Sequence, residues 1–192
     1  MEPRVEEAQA GRRDLYFVDA AHFVRSAFLG FLWCFARVFV RSPSGRERFN
    51  VLGALHATTQ RLVTVCNAGY INSESVCELL TKLAALRTDL PITAIMDNAR
   101  YQRCALVIET AKALGIELLF LPSYSPNLNL IERLWKFVKK KALYSKYYPT
   151  FAEFKRAISD VLDQTHTSYR DDLRSLLTLK FQTFKFSEVM PV

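Results

Sequence analysis

Three acidic residues stand at positions where an acid needs a reason. Asp19 lies inside DLYFVDAAHF, a run rich in aromatic and β-branched residues from Asp14 to Phe23 that reads as a strand, and aspartate is depleted in strands and seldom buried without a partner. Asp97 ends the short apolar run ITAIM that follows Pro91, and Glu132 opens the amphipathic stretch NLIERLWKFVKKKALY. Each has an ordinary explanation when taken singly. Asp19 suits an edge position or an arginine partner, Asp97 a turn, and Glu132 the N3 position of a capping box whose N-cap is Asn129. Taken together they stand at the ends of two strands and the start of a helix, where mixed sheets gather their ligands. Unpaired carboxylates crowded there repel one another, and divalent cations with a preference for hard oxygen ligands are the usual remedy.

The elements that position these acids follow from periodicity. After the first strand come an apolar stretch, Phe28 to Val40, a turn signal at Ser42-Pro43-Ser44-Gly45, and RFNVLGALHATTQRLVTVCNAGYI, which reads as two strands turning at Ala57-Thr58-Thr59-Gln60. SESVCELLTKLAAL has helical spacing, with Ser73 or Ser75 as its cap. The strand ending at Asp97 is followed by a helix from about Gln102 to Leu114 that stops at Gly115, and then by the apolar strand IELLFLP. Past the loop SYSPN, the helix bearing Glu132 puts Ile131, Leu134, Trp135 and Val138 on one side. One or two further helices fill Thr150 to Leu179, and KFQTFKF alternates like a strand. Three antiparallel strands followed by two parallel ones make an α/β fold, a mixed five-stranded sheet flanked by helices. Residues 1–13 read as an N-terminal tail, 14–148 as the main domain and 149–192 as a helical extension of it.

Composition narrows the class. The 192 residues are 50% apolar and 23% charged, which is a folded globular chain. With 26 Lys and Arg against 19 Asp and Glu, the net charge is +7, which favours a polyanionic partner. Cys34, Cys66, Cys77 and Cys104 form no CxxC pair and no zinc spacing with histidine, so a reduced cytosolic compartment suits them. The polar N-terminus lacks signal-peptide layout, and the most apolar window, Ser26 to Ala36, is too short to span a bilayer and reads as core.

FVDAAHF, ITAIMDNARYQRC and LLFLPSYSPNLNLIERLWKFVKK resemble the three blocks of the mariner-type DDE transposases, in particular their bacterial insertion-sequence branch. Counting Asn98 through Ile131 gives 34 residues between the second and third acids, the spacing associated with that superfamily. RSPSGRERFNVLGAL resembles the family's strand pair, and the likeness covers Asp14 to Tyr144.

The resemblance implies a ribonuclease H-like domain with Asp19, Asp97 and Glu132 as catalytic residues and ligands of two Mg²⁺ or Mn²⁺ ions, cutting DNA and transferring strands. It implies transposon-end and target DNA as partners, assembly as a homo-oligomer on DNA, and a bacterial, cytoplasmic, nucleoid-associated setting without membrane contact. Arg100, Arg103, Lys136, Lys139 and Lys140, with Lys141 beside them, are candidate phosphate contacts, while Asn98, Tyr124 and Asn129 support the site. Trp135 reads as core, and His22, His56 and His166 receive no catalytic role. Two positions depart from the family pattern: Gln102 where many relatives have His, and Leu130 where many have Pro. Only 18 residues precede Asp19, so the helix-turn-helix half that relatives carry is expected from a separately encoded frame, or else the chain is a truncated relic or a trimmed piece. Two other readings stay open: a non-catalytic relic that binds DNA or regulates a full-length transposase by co-assembly, and another ribonuclease H-like nuclease, against which the spacing and SYSPNLNLIERLW speak.

Overall fold

A computed structural model describes residues 1–26, 47–86, 88–122 and 126–181. The first strand, β1 (Asp14–Val24), is the centre of a five-stranded sheet. On one side it pairs antiparallel with β2 (Arg48–His56), which pairs antiparallel with β3 (Leu62–Asn67). On the other side it pairs parallel with β4 (Ile92–Met96), and β4 with β5 (Ile116–Phe120). The order β3-β2-β1-β4-β5 is the mixed sheet expected from the alternation of elements.

Both faces of β1 are covered, which is why its sequence is apolar almost throughout. Leu15, Phe17, Ala21 and Phe23 belong to one core; Tyr16 and Val18 belong to the other. The second core is closed by α2 (Ser73–Ala84), whose Val76, Leu79, Leu80 and Leu83 are buried at helical spacing, and by α3 (Ala105–Ala113) through Val107 and Ala111. The first core is closed by α4 (Ile131–Ala142) and α5 (Phe151–Asp163), which contribute Ile131, Leu134, Trp135, Val138, Phe154 and Ile158; α6 (Arg170–Leu176) adds Leu173. Gly115 at φ +69° ends α3 in the left-handed conformation anticipated for it.

Three local expectations are corrected. The cap of α2 is Asn72, whose Oδ1 accepts from the Ser75 N–H while Ser75 Oγ faces back to the Asn72 N–H, so the capping box begins one residue before the serines. The predicted helix from Gln102 begins only at Ala105, after a turn over residues 100–104. The expected tail contains a helix, α1 (Glu2–Gln9), tied to β5 by Arg4, which donates to Glu117 at 2.7 Å. The apolar stretch Phe28–Val40, the turn at Ser42–Gly45, Tyr124 and most of the KFQTFKF strand lie outside the described residues. Among the described residues, no helix is long and apolar enough to cross a membrane.

Candidate active site

Alternation along β1 sends its odd-numbered residues toward α4, and Asp19 shares that parity with Phe17 and Ala21. Its partner across the antiparallel ladder is Gly53 of β2. The missing side chain there has a use. A Cβ on Gly53 would stand 2.7 Å from Cη2 and 2.9 Å from Cζ2 of Trp135, so the glycine lets the indole of α4 lie directly on the sheet. From that position Trp135 Nε1–H donates to Asp19 Oδ2 at 3.0 Å, with Phe23 edge-on against its ring.

Asp97 arrives by register. Phe17 pairs with Ile95 on the parallel strand β4, and two residues further along each chain stand Asp19 and Asp97, both half-buried. The end of β4 is held by the Leu121 N–H, which donates to the Met96 carbonyl at 2.8 Å.

Glu132 sits in the first turn of α4, and the capping box expected for it is absent. The N-cap residue is Leu130, with no side-chain cap. Asn129 is buried, and its amide is used across the molecule: Nδ2 donates to the Val18 carbonyl at 3.1 Å. This tie joins the start of α4 to the residue before Asp19. It leaves the Glu132 carboxylate uncommitted to a cap.

The electrostatics mark the three acids as one group. Burial pushes Asp19 up to about 7 from an ordinary value of 3.8; the charge of Asp97 and, less strongly, that of Glu132 push the same way, against hydrogen bonds from the Ala20 N–H and Trp135. Glu132 is raised by burial, with Lys136 and Lys139 opposing and Asp97 adding to the rise. Tyr101 is raised by burial and then by Asp19, so it belongs to the same neighbourhood; its hydroxyl accepts from Gln102 Nε2 at 3.3 Å. Gln102 is buried and serves this tyrosine. The carboxylates share a field without sharing a coordination shell: among the described residues no three His, Cys, Asp or Glu side chains are gathered closely enough to hold an ion. In donor chemistry the three acids fit a hard divalent cation.

The basic candidates divide. Arg100 is exposed beyond Asp97, and Arg103 Nη1 donates to Asn98 Oδ1 at 2.6 Å, so those two occupy each other. Lys136 and Lys139 act on Glu132. Lys136 and Lys140 also line a groove of about 720 Å³ together with Phe137, Lys141 and Asp172. Lys141 is paired with Asp172 at 3.2 Å, and Arg133 donates to the carbonyls of Thr178 and Lys180, which leaves Lys136 and Lys140 as the cations of the groove without an ion pair among the described residues.

Sequence reasoning missed the roles of Trp135, Gly53 and Tyr101. Two signals were there: a buried indole N–H needs an acceptor, and a glycine inside a strand marks close approach.

A sequence profile described as "DDE superfamily endonuclease" matches residues 14–155. No curated protein sequence matches the chain significantly. Among solved structures, the chain is similar to the Mos1 transposase paired-end complex with left transposon end, with a TM-score of 0.69 and 15% identity over 93% of this chain and 56% of that one. The Mos1 strand transfer complex matches at a TM-score of 0.65 with 15% identity over 91% of this chain and 55% of that one. The Mos1 mariner paired end complex with Mn matches at 0.64 with 14% identity over 91% and 56%. At this identity the likeness shows the fold, a ribonuclease H-like mixed sheet, and the chain spans a little over half the length of that transposase.

Proposed function

Since the chain belongs to the DDE superfamily of endonucleases, we propose that it is the catalytic domain of a DNA transposase that cuts phosphodiester bonds and transfers the freed strand through Asp19, Asp97 and Glu132. The observation that carries this reading is the state of Asp19. It is pinned by the indole of Trp135, and its acidity is suppressed by burial and by two further carboxylates from different elements. Asp19, Asp97 and Glu132 would hold two Mg²⁺ or Mn²⁺ ions, which when bound supply Lewis-acid stabilisation of the charge developing on the attacking and leaving oxygens.

The remaining work falls to this chain's own side chains. Trp135 fixes the orientation of Asp19, and Asn129 fixes the start of α4, hence Glu132, against β1. Lys136 and Lys139 favour the ionised form of Glu132. The groove lined by Lys136 and Lys140 receives the DNA backbone by counterion exchange. In this reading the partners are transposon-end and target DNA and copies of the same chain assembled on it, in a bacterial cytoplasm.

The test pairs thermal melts with cleavage of a supercoiled plasmid and a pre-nicked end. Saturating Mn²⁺ should raise the melting temperature of the parent by roughly 5 to 10 °C, the size expected for a ligand at about 100 times its Kd. Asp97→Asn and Glu132→Gln should keep the metal-free melting temperature, lose most of that shift and cut at least ~10²-fold more slowly. Variants that cut like the parent would remove their residue from the site. That no three such side chains cluster among the described residues favours one rival, a non-catalytic relic that binds DNA or acts by co-assembly; a parent chain with neither a Mn²⁺ shift nor cleavage would remove the catalytic reading in its favour.

A further inference from the structure

A second basic feature lies beside the turn between β2 and β3. β2 and β3 are joined by a turn in which Gln60 adopts φ +60° and the Thr58 and Thr59 N–H groups both donate to His56 Nδ1, at 3.3 and 3.2 Å. Beside this turn is a recess of about 370 Å³ lined by Thr58, Thr59, Thr165, His166, Arg170 and Arg174. His56, the last residue of β2, pairs with Tyr16. That places it three residues, roughly 10 Å along the strand, on the far side from Asp19.

We propose that this recess is a phosphate-binding site separate from the groove of α4. Among the described residues, no carboxylate lines it. Neither Arg170 nor Arg174 forms an ion pair among the described residues, whereas Arg4, Arg13, Arg25 and Arg156 each have a carboxylate partner. Two guanidinium forks set among hydroxyls match a tetrahedral oxyanion. The ring between them is poised as a donor: His166 Nε2 accepts from the Leu62 N–H at 3.0 Å, so in the neutral ring the proton is on Nδ1. Burial holds His166 below its ordinary pKa, and the charges of Arg61 and Arg170 push the same way. The phosphate is either a diester of a nucleic-acid backbone or a free phosphate ion. The first source rests on the function proposed above, and phosphate recognition as such does not.

The chain contains only three histidines, so each imidazole can be followed separately by ¹H–¹⁵N spectroscopy of the full chain, with His22 and His56 as internal references. The probes are inorganic phosphate and a short blunt DNA duplex. If the duplex moves His166 saturably and inorganic phosphate does not, the site takes backbone phosphates. Arg170→Gln/Arg174→Gln should then lower the slope of log K against log salt by about 2, at ~0.9 for each phosphate that is no longer neutralised. If inorganic phosphate moves His166 saturably and the duplex does not, the site takes a free phosphate, and the same double variant abolishes the response. A His166 resonance that neither probe moves overturns the proposal, and this arm needs no variant to fold. Failure of the transposase reading would look different: DNA would go uncut while His166 still answered phosphate. Lys136→Gln/Lys140→Gln should weaken duplex binding and leave the His166 response to inorganic phosphate intact.

Discussion

The strands β1, β4 and β5 bring carboxylates to both of their ends, and the two ends treat them in opposite ways. At the amino end, Glu117 on β5 accepts from Thr93 at 2.7 Å, from Arg4 at 2.7 Å and from Arg13 at 3.0 Å, and Glu7 of α1 is bound to the same two arginines. Burial alone would raise Glu117, yet these bonds and charges outweigh it and leave the carboxyl below its ordinary range. Glu7 is lowered as well, chiefly by its hydrogen bond from Arg13. Past the carboxyl end of the β1–β4 pairing, Asp19 has the Ala20 N–H, one indole N–H, two neighbouring carboxylates and, among the described residues, no cation bonded to it, and its pKa is pushed up to about 7. An acid placed for stability is supplied with its counter-charge by the chain. In the reading proposed above, an acid placed for chemistry is left wanting one, and that deficit is what a metal or a proton would fill.

The largest effect expected from breaking this contrast is at Gly53. Gly53→Val forces a Cβ to within 2.7 Å of the Trp135 ring and 3.0 Å of Ile131 Cδ1, so α4 must lift or the indole must turn. Overpacking of this kind should cost about 3 kcal/mol, a fall in melting temperature of roughly 5 to 10 °C. Because the displaced ring is the donor to Asp19, cleavage should fall by more than the loss of folded protein accounts for. A variant that melts low but keeps full specific activity once folded would separate Trp135 from the site.

Trp135 also shows where sequence reading stops. The helix that carries it was legible, because its apolar stripe and lysine-rich face are local properties of twelve residues, and Ile131, Leu134 and Val138 are buried as their spacing required. The helical spacing puts the indole in the core, which is true of its ring; its N–H bond to Asp19 spans 116 positions and has no local trace. Asn129 misled for the same reason. N-x-x-E satisfies a capping box, yet the amide instead reaches Val18, 111 positions away. The α1 helix escaped notice because its sequence is polar and Ala8 is its one buried residue, although Pro3 near its start and Glu2 in its first turn are ordinary helix-opening signals. Its anchor, Arg4 on Glu117, is again long-range. The three acids were legible as a group through their places at strand ends and a helix start and through the blocks that resemble the family, whereas the register that sets Asp97 beside Asp19 is long-range.

A smaller effect sharpens the comparison through pH. Asp19 has a folded pKa near 7 and an ordinary value of 3.8. Between those values the native state binds more protons than the unfolded state, so stability of the metal-free protein should fall as pH rises from about 4 to about 7, by on the order of 2 kcal/mol after solvent screening is allowed for. Asp19→Asn should flatten that limb. Urea titrations at pH 4.5, 6 and 7.5 read it directly, and an unchanged slope in Asp19→Asn would assign the limb to another group.

The smallest effect is at the paired end, and its sign is opposite. Glu117 is lowered, so its contribution is present above its unfolded pKa of 4.5 and is lost as pH falls through its folded value. Arg13→Gln removes one of its two arginines and, with it, the donor to Thr93 Oγ1 at 2.8 Å, but Arg4 remains on the other oxygen. Because these side chains are partly open to solvent, the loss at neutral pH should be only about 1 kcal/mol, near the top of the range for exposed pairs. It should shrink toward zero as pH falls below the lowered folded pKa of Glu117, where the carboxyl is protonated in both proteins. Raising the salt should also narrow the gap between Arg13→Gln and the parent, as screening requires. Cleavage should not change, because nothing at this end touches Asp19, Asp97 or Glu132. An Arg13→Gln variant that loses cleavage while folded would mean that the two ends are coupled through β1 and β4, and that the pairing at one end helps to set the deficit at the other.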